Sequence, residues 1–100
     1  TRRIDLVMGI DYGDDIDVAL ATINRVIGEE ARAMADPEPL VAVAELADSS
    51  VNLTVRVWVA TGDYASVRYA LTKKLKEQLE ADGISIPFPQ RTVHMAAATE

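Results

Sequence analysis

No cysteine occurs in the chain, which excludes a disulfide framework and thiol chemistry and fits a reducing compartment. Histidine occurs once, at His94, so no zinc site can be assembled from nitrogen and sulfur ligands. Aromatic side chains are scarce (Tyr12, Trp58, Tyr64, Tyr69 and Phe88), which leaves the core to valine, isoleucine, leucine and alanine. No apolar run approaches the roughly 20 residues that span a bilayer, and no secretory leader is recognisable. Cations are in the minority: ten Lys and Arg against sixteen Asp and Glu give a net charge of −6. That balance argues against nucleic acid and anionic membrane surfaces as partners of this segment.

What is present describes one ordinary globular domain: 100 residues, 49% hydrophobic and 26% charged, enough for a single modest core. The chain opens at Thr1 directly on a strand pattern. This start reads as a domain cut from a longer chain, so the lack of a membrane segment carries little weight for the parent protein.

Ile4, Leu6, Met8 and Ile10 alternate with Asp5, Val7, Gly9 and Asp11, the period of a half-buried strand. Gly13-Asp14-Asp15 breaks that pattern, with Asp14 as the expected N-cap and Asp15 and Asp17 in the first turn of a helix. Apolar residues at Ile16, Ala19, Leu20, Ile23, Ile27, Ala31 and Met34 follow at close to 3.6-residue spacing, and Pro37 and Pro39 are expected to end the helix. Leu40 to Leu46 and Val51 to Val59 read as a hairpin about the turn at Asp48-Ser49-Ser50. The second of these strands places Val51, Leu53, Val55, Val57 and Val59 on one face and Asn52, Thr54, Arg56 and Trp58 on the other. A second helix opens at Gly62-Asp63, with Asp63 as expected N-cap. Val67, Leu71, Leu75 and Leu79 form its buried stripe, and Lys73 with Glu77 and Lys76 with Glu80 are i,i+4 pairs. Gly83 suits a left-handed stop, with Ile84 packing back on Leu79.

This order, β-α-β-β-α-β, predicts an α+β fold: a ferredoxin-like sandwich with two helices on one face of a mixed or antiparallel sheet. For the last strand, Ile84 to Ile86 is expected to stay with the domain. Beyond it, Pro87 and Pro89 hold Ile86 and Phe88 extended and remove two backbone donors. That Pro-x-Pro stretch cannot be a central strand and reads as an arm carrying a C-terminal extension strand away from the body. The predicted organisation is a domain over 1–90 and a strand with tail over 91–100. A strand held out on an arm has unpaired edges, for which pairing with other copies of the chain is the remedy.

Candidate chemistry is thin. Asp11, Asp14, Asp15 and Asp17 are the densest acidic cluster, but no second cluster completes a ligand set, and helix capping accounts for three of the four. His94 has only Thr92, Val93, Met95 and Ala96 beside it, nothing to serve as nucleophile or carboxylate partner. The first turn, Tyr12-Gly13-Asp14-Asp15, would repel the phosphate that small enzymes of this fold bind. Trp58 and Tyr69 read as packing at the sheet edge, with a ligand platform or a subunit contact as alternatives. Arg2, Arg3 and Asp5 fall on the first strand's polar side; they are either a solvated strand beginning or charges lining a water-filled passage. No catalytic residue, metal site or cofactor is indicated.

Several segments match a known family in order and spacing. Arg2-Arg3-Ile4-Asp5 leading to Gly9-Ile10-Asp11-Tyr12, then Asp15-Ile16-Asp17, resembles the start of the cytoplasmic α/β domain of small-conductance mechanosensitive channels (the MscS family). Glu45-Leu46, Ser49-Ser50-Val51-Asn52, Val55-Arg56-Val57-Trp58 and Gly62-Asp63 are similar to that domain's central hairpin and second helix start. Gly83-Ile84-Ser85-Ile86-Pro87-Phe88-Pro89-Gln90, the most specific of these, resembles the stretch leading into the family's C-terminal barrel strand. The family commonly carries tryptophan where Tyr69 stands here.

The resemblance implies a channel of seven identical subunits in the bacterial inner membrane, opened by tension to release solutes on osmotic downshock. The domain would belong to a hollow cage on the cytoplasmic face, through whose side portals ions and small solutes pass. The barrel strand would be Arg91, Thr92, Val93, His94, Met95, Ala96 and Ala97. Arg2, Arg3, Asp5 and, more weakly, Glu45 would be portal or cage-wall charges. The pore helix and tension-sensing helices are not in this sequence, so membrane contact would come only through upstream segments. Two rivals from other classes are a ferredoxin-like regulatory module binding a small metabolite and an acylphosphatase-type enzyme. The arm argues against the first and the acidic first turn against the second.

Overall fold

A computed structural model describes residues 1–86. In order they form β1 (Arg2–Ile10), α1 (Ile16–Glu29), β2 (Leu40–Leu46), β3 (Val51–Val59), a short 3-10 turn (Thr61–Asp63) and α2 (Tyr64–Ala81). The three strands make an antiparallel sheet in the order β1-β3-β2. Alternation decides its faces. Val51, Leu53, Val55, Val57 and Val59 of the central strand are buried with Ile4, Leu6 and Ile10 of β1. Both helices close over that face with Ala19, Ile23, Val26 and Ile27 from α1 and Val67, Leu71, Leu75 and Leu79 from α2. The α+β fold with two helices on one sheet face is therefore formed, and the sheet is antiparallel.

The end of α2 follows the expected chemistry. Gly83 takes φ +86°, Gly83 N–H donates to Glu80 O at 3.1 Å and Ile84 N–H to Leu79 O at 2.9 Å. This is the Schellman pair, and Ile84 and Leu79 are both buried.

Four expectations need correcting. Helix α1 stops at Glu29, not near Pro37. Glu30 is extended, its carboxylate collects the Arg32 N–H and guanidinium, and Met34 N–H donates to Trp58 O at 2.9 Å. Ala31 and Met34 thus continue the apolar period without continuing the helix. The N-cap is Asp15, whose Oδ1 accepts from Asp17 N–H at 2.9 Å and Val18 N–H at 3.3 Å. Asp14 instead accepts from Ser85 N–H at 2.6 Å. Asp63 occupies the cap position of α2 without capping it, because the preceding 3-10 turn already holds it in a helical conformation. Among the described residues no fourth strand forms at Ile84 to Ile86; one backbone bond, Asp11 N–H to Ser85 O at 3.0 Å, ties this segment to the end of β1. The Pro-x-Pro arm, the boundary at 90/91 and the strand over 91–97 lie outside the described residues.

Candidate functional site

The helix-free face of the sheet carries the charges. On β1 this face shows Arg3, Asp5 and Val7, and the register sets Arg3 against Trp58, Asp5 against Arg56 and Val7 against Thr54. On β2, Leu40 faces Arg56 and Ala42 faces Thr54. Asp5 is the hub: Arg3 Nε lies 2.9 Å and Arg56 Nε 3.7 Å from its Oδ1. All three side chains are close to half exposed, so water screens the attraction, and what the cluster fixes is the placement of charge.

Glu45 reaches the same face through an irregularity. Beyond Val43, paired with Leu53 on the helix side, a β-bulge inserts Ala44, so Glu45 falls opposite Asn52. Strict alternation would have turned it toward the helices. Asn52 Nδ2 donates to Glu45 Oε1 at 3.4 Å.

Of the four charges singled out from the sequence, Arg3, Asp5 and Glu45 share one face, and Arg2 does not join them. It lies on the helix side, its guanidinium 3.7 Å from the centre of the Tyr64 ring, a cation–π contact. Arg2 and Arg3 cannot share a side of a strand whose period is two. Arg56 is the residue the sequence reading left out. Its signal was available, since the β3 alternation places it on the polar face and hairpin pairing brings it beside β1.

The remaining candidates are structural. Asp11 accepts from Gly13 N–H at 3.2 Å, and with the bonds of Asp14 and Asp15 the acidic cluster holds the turn and the segment after α2. Among the described residues no group of three or more histidine, cysteine, aspartate or glutamate side chains is placed to hold a metal ion. Trp58 stands on the central strand, half-buried on the helix-free face, and not at a sheet edge. Tyr69 is 73% exposed on the outer flank of α2. At the far end of the helix pair, Thr22 donates to Asp82 Oδ2 at 2.5 Å and Arg25 Nη2 approaches the same oxygen at 3.2 Å. The Thr22 hydroxyl and the Arg25 guanidinium hold the Asp82 carboxyl below its usual range. His94 and the other residues of 91–97 lie outside the described residues.

This architecture agrees with the family comparison. The family model described as "Mechanosensitive ion channel MscS, C-terminal" matches residues 4–86, which hold both helices and all three strands but for the first two residues of β1. The chain belongs to the MscS family. An uncharacterized MscS family protein of Synechocystis is 46% identical over 94 residues, covering 94% of this chain and 32% of that protein. The small-conductance mechanosensitive channel of Edwardsiella ictaluri is 37% identical over 99 residues, covering 99% of this chain and 35% of the channel. The closed-state crystal structure of Helicobacter pylori MscS superposes with a TM-score of 0.81 at 35% identity, over 87% of this chain and 35% of that one. The chain thus spans about a third of the length of these MscS relatives. No described helix is long and apolar enough to cross a membrane.

Proposed function

We propose that this chain is the cytoplasmic cage domain of a tension-gated MscS channel that releases solutes on osmotic downshock. It supplies cage wall, subunit assembly and part of the solute filter, with no catalysis and no cofactor. The observation that carries the reading is the match of residues 4–86 to the C-terminal domain of these channels. The parent protein is a homo-heptamer of the bacterial inner membrane, and residues 91–97 are the strand each subunit contributes to a shared barrel. The domain proper runs over 1–90.

Within that reading, the helix-free sheet face is the surface presented to passing ions. Arg3, Asp5, Arg56 and Glu45 set its charge, while Arg2, stacked on Tyr64, is excluded from it. Fixed charges on a confined wall bias which ions pass. In the full-length channel, reversing Arg3 and Arg56 to glutamate is expected to move the reversal potential toward cation preference and leave the tension threshold in place. An unchanged reversal potential would remove this face from the filter. Arg2→Glu is the control and is expected to shift it little.

A further inference from the structure

β2 is an edge of the described sheet, with β3 as its one partner strand. Which of its backbone groups stay outside follows from the ladder. Asp5 O accepts from Arg68 Nη1 at 3.0 Å, so Asp5 turns its backbone away from β3. Arg56, which faces it, therefore turns its own backbone toward β2. The hairpin turn gives the same parity from the other end, because Ala47 N–H donates to Ser50 O at 2.9 Å. Even-numbered residues of β3 thus bond to Leu40, Ala42 and Glu45, while Val41, Val43 and Leu46 hold their N–H and C=O groups outward. Among the described residues no backbone group meets them there. Edges are commonly blunted by lysine or proline. Leu40 to Leu46 contains neither, and the bulge at Ala44 distorts only the end beyond Val43.

The two faces beside this edge differ. On the helix side Val43 and Leu46 are exposed and Val41 and Leu20 only partly covered, so the helices leave an apolar margin. On the helix-free side Leu40 and Glu45 line the edge. From Ala33 to Val55 the chain carries Asp36, Glu38, Glu45 and Asp48 but no Lys or Arg. All four carboxylates are exposed, and none forms an ion pair among the described residues. Arg56, opposite Leu40, is directed to Asp5 on its far side.

We propose that the outer edge of β2 accepts an extended cationic segment of another protein as an added strand. Its backbone bonds Val41 and Val43, which alternate residues of an incoming strand can reach together. Its side chains alternate, apolar beside Val43 and Leu46, Lys or Arg beside Glu45 and the flanking carboxylates. A second copy of this chain is a poor occupant. Each copy carries −6, and pairing this edge with itself sets the same carboxylates against one another. The open edge and its charge hold independently of the channel reading.

The test is a titration of the full chain with the end-blocked peptide Lys-Val-Lys-Val-Lys-Val-Lys, against the same peptide with Glu replacing Lys. Saturable binding of the lysine peptide alone is expected, slowing amide exchange at Val41 and Val43 more than at Ala42. Val43→Pro removes an outward donor and spares the β3 ladder; it is expected to abolish the added protection at Val41. Glu45→Lys with Asp48→Lys keeps every backbone donor and covers the case in which proline disturbs the strand. That pair is expected to weaken binding about tenfold. No binding, equal binding of both peptides, unchanged exchange at Val41 and Val43, or undiminished binding in the charge variant overturns the proposal. Slow exchange at both amides in the chain alone also overturns it. At dimer mass that result would place a second copy on the edge, and at monomer mass another part of this chain.

Discussion

Gly83 is the residue at which backbone conformation alone governs the local structure. A Cβ there would meet nothing within 4 Å, so the constraint is the positive φ of +86° and not space. Gly83→Ala is expected to cost about 1 kcal/mol in denaturant unfolding, and an unchanged midpoint would mean that the helix stop does not depend on this glycine. Asp15→Ala removes the true N-cap of α1 and is expected to cost about 1 kcal/mol, measured by the same melts. Asp82 is a titration test. Its pKa is lowered in the fold by Thr22 and Arg25, so its contribution is present above the ordinary carboxyl range, at about pH 4 and higher, and is lost as pH falls through the folded value. Asp82→Asn should therefore lose less stability between neutral and acid pH than the unsubstituted chain. Parallel acid profiles would show that this contact contributes nothing.

At the scale of elements, burial separates what must be kept from what can vary. Leu75 on α2 is fully buried, whereas Leu46 at the end of β2 is 68% exposed. Leu75→Ala is expected to cost about 2–5 kcal/mol and Leu46→Ala under about 0.5 kcal/mol; comparable losses would mean that β2 is covered by something outside the described residues. The same contrast explains what could be read from the sequence. The faces of β3 and α2 follow from strict alternation and a leucine stripe, because burial acts on every residue of those elements. The C-terminal stop was legible because glycine is the residue that takes its positive φ at least cost. By contrast, Ala31 and Met34 fit the helical period, and only the Glu30–Arg32 contact shows that the helix has ended. Asp14 and Asp15 are equally good caps by type, and the hydrogen bond to Ser85, distant in sequence, decides between them. The bulge at Ala44 leaves no mark in the composition, so the face of Glu45 could not be deduced, whereas parity should have separated Arg2 from Arg3. The Arg68 bond to Asp5 O depends on how α2 sits over β1 and has no local signature at all.

For the whole molecule, the buried core named above lies within residues 4–84, and the proposed function gives residues 91–100 a role in association. Removing 91–100 is expected to leave the melting curve in place and lower the mass of the native assembly. The same mass with and without those residues would end the barrel assignment. The reading as a channel domain rests on family membership across a third of the relatives' length, which makes the parent protein the proper object of the decisive measurement. That measurement is the current through a membrane patch containing the full-length protein as suction is raised. Discrete conductance steps whose open probability climbs with tension are expected; a silent patch, or activity indifferent to tension, would contradict the assignment of this chain to a tension-gated channel.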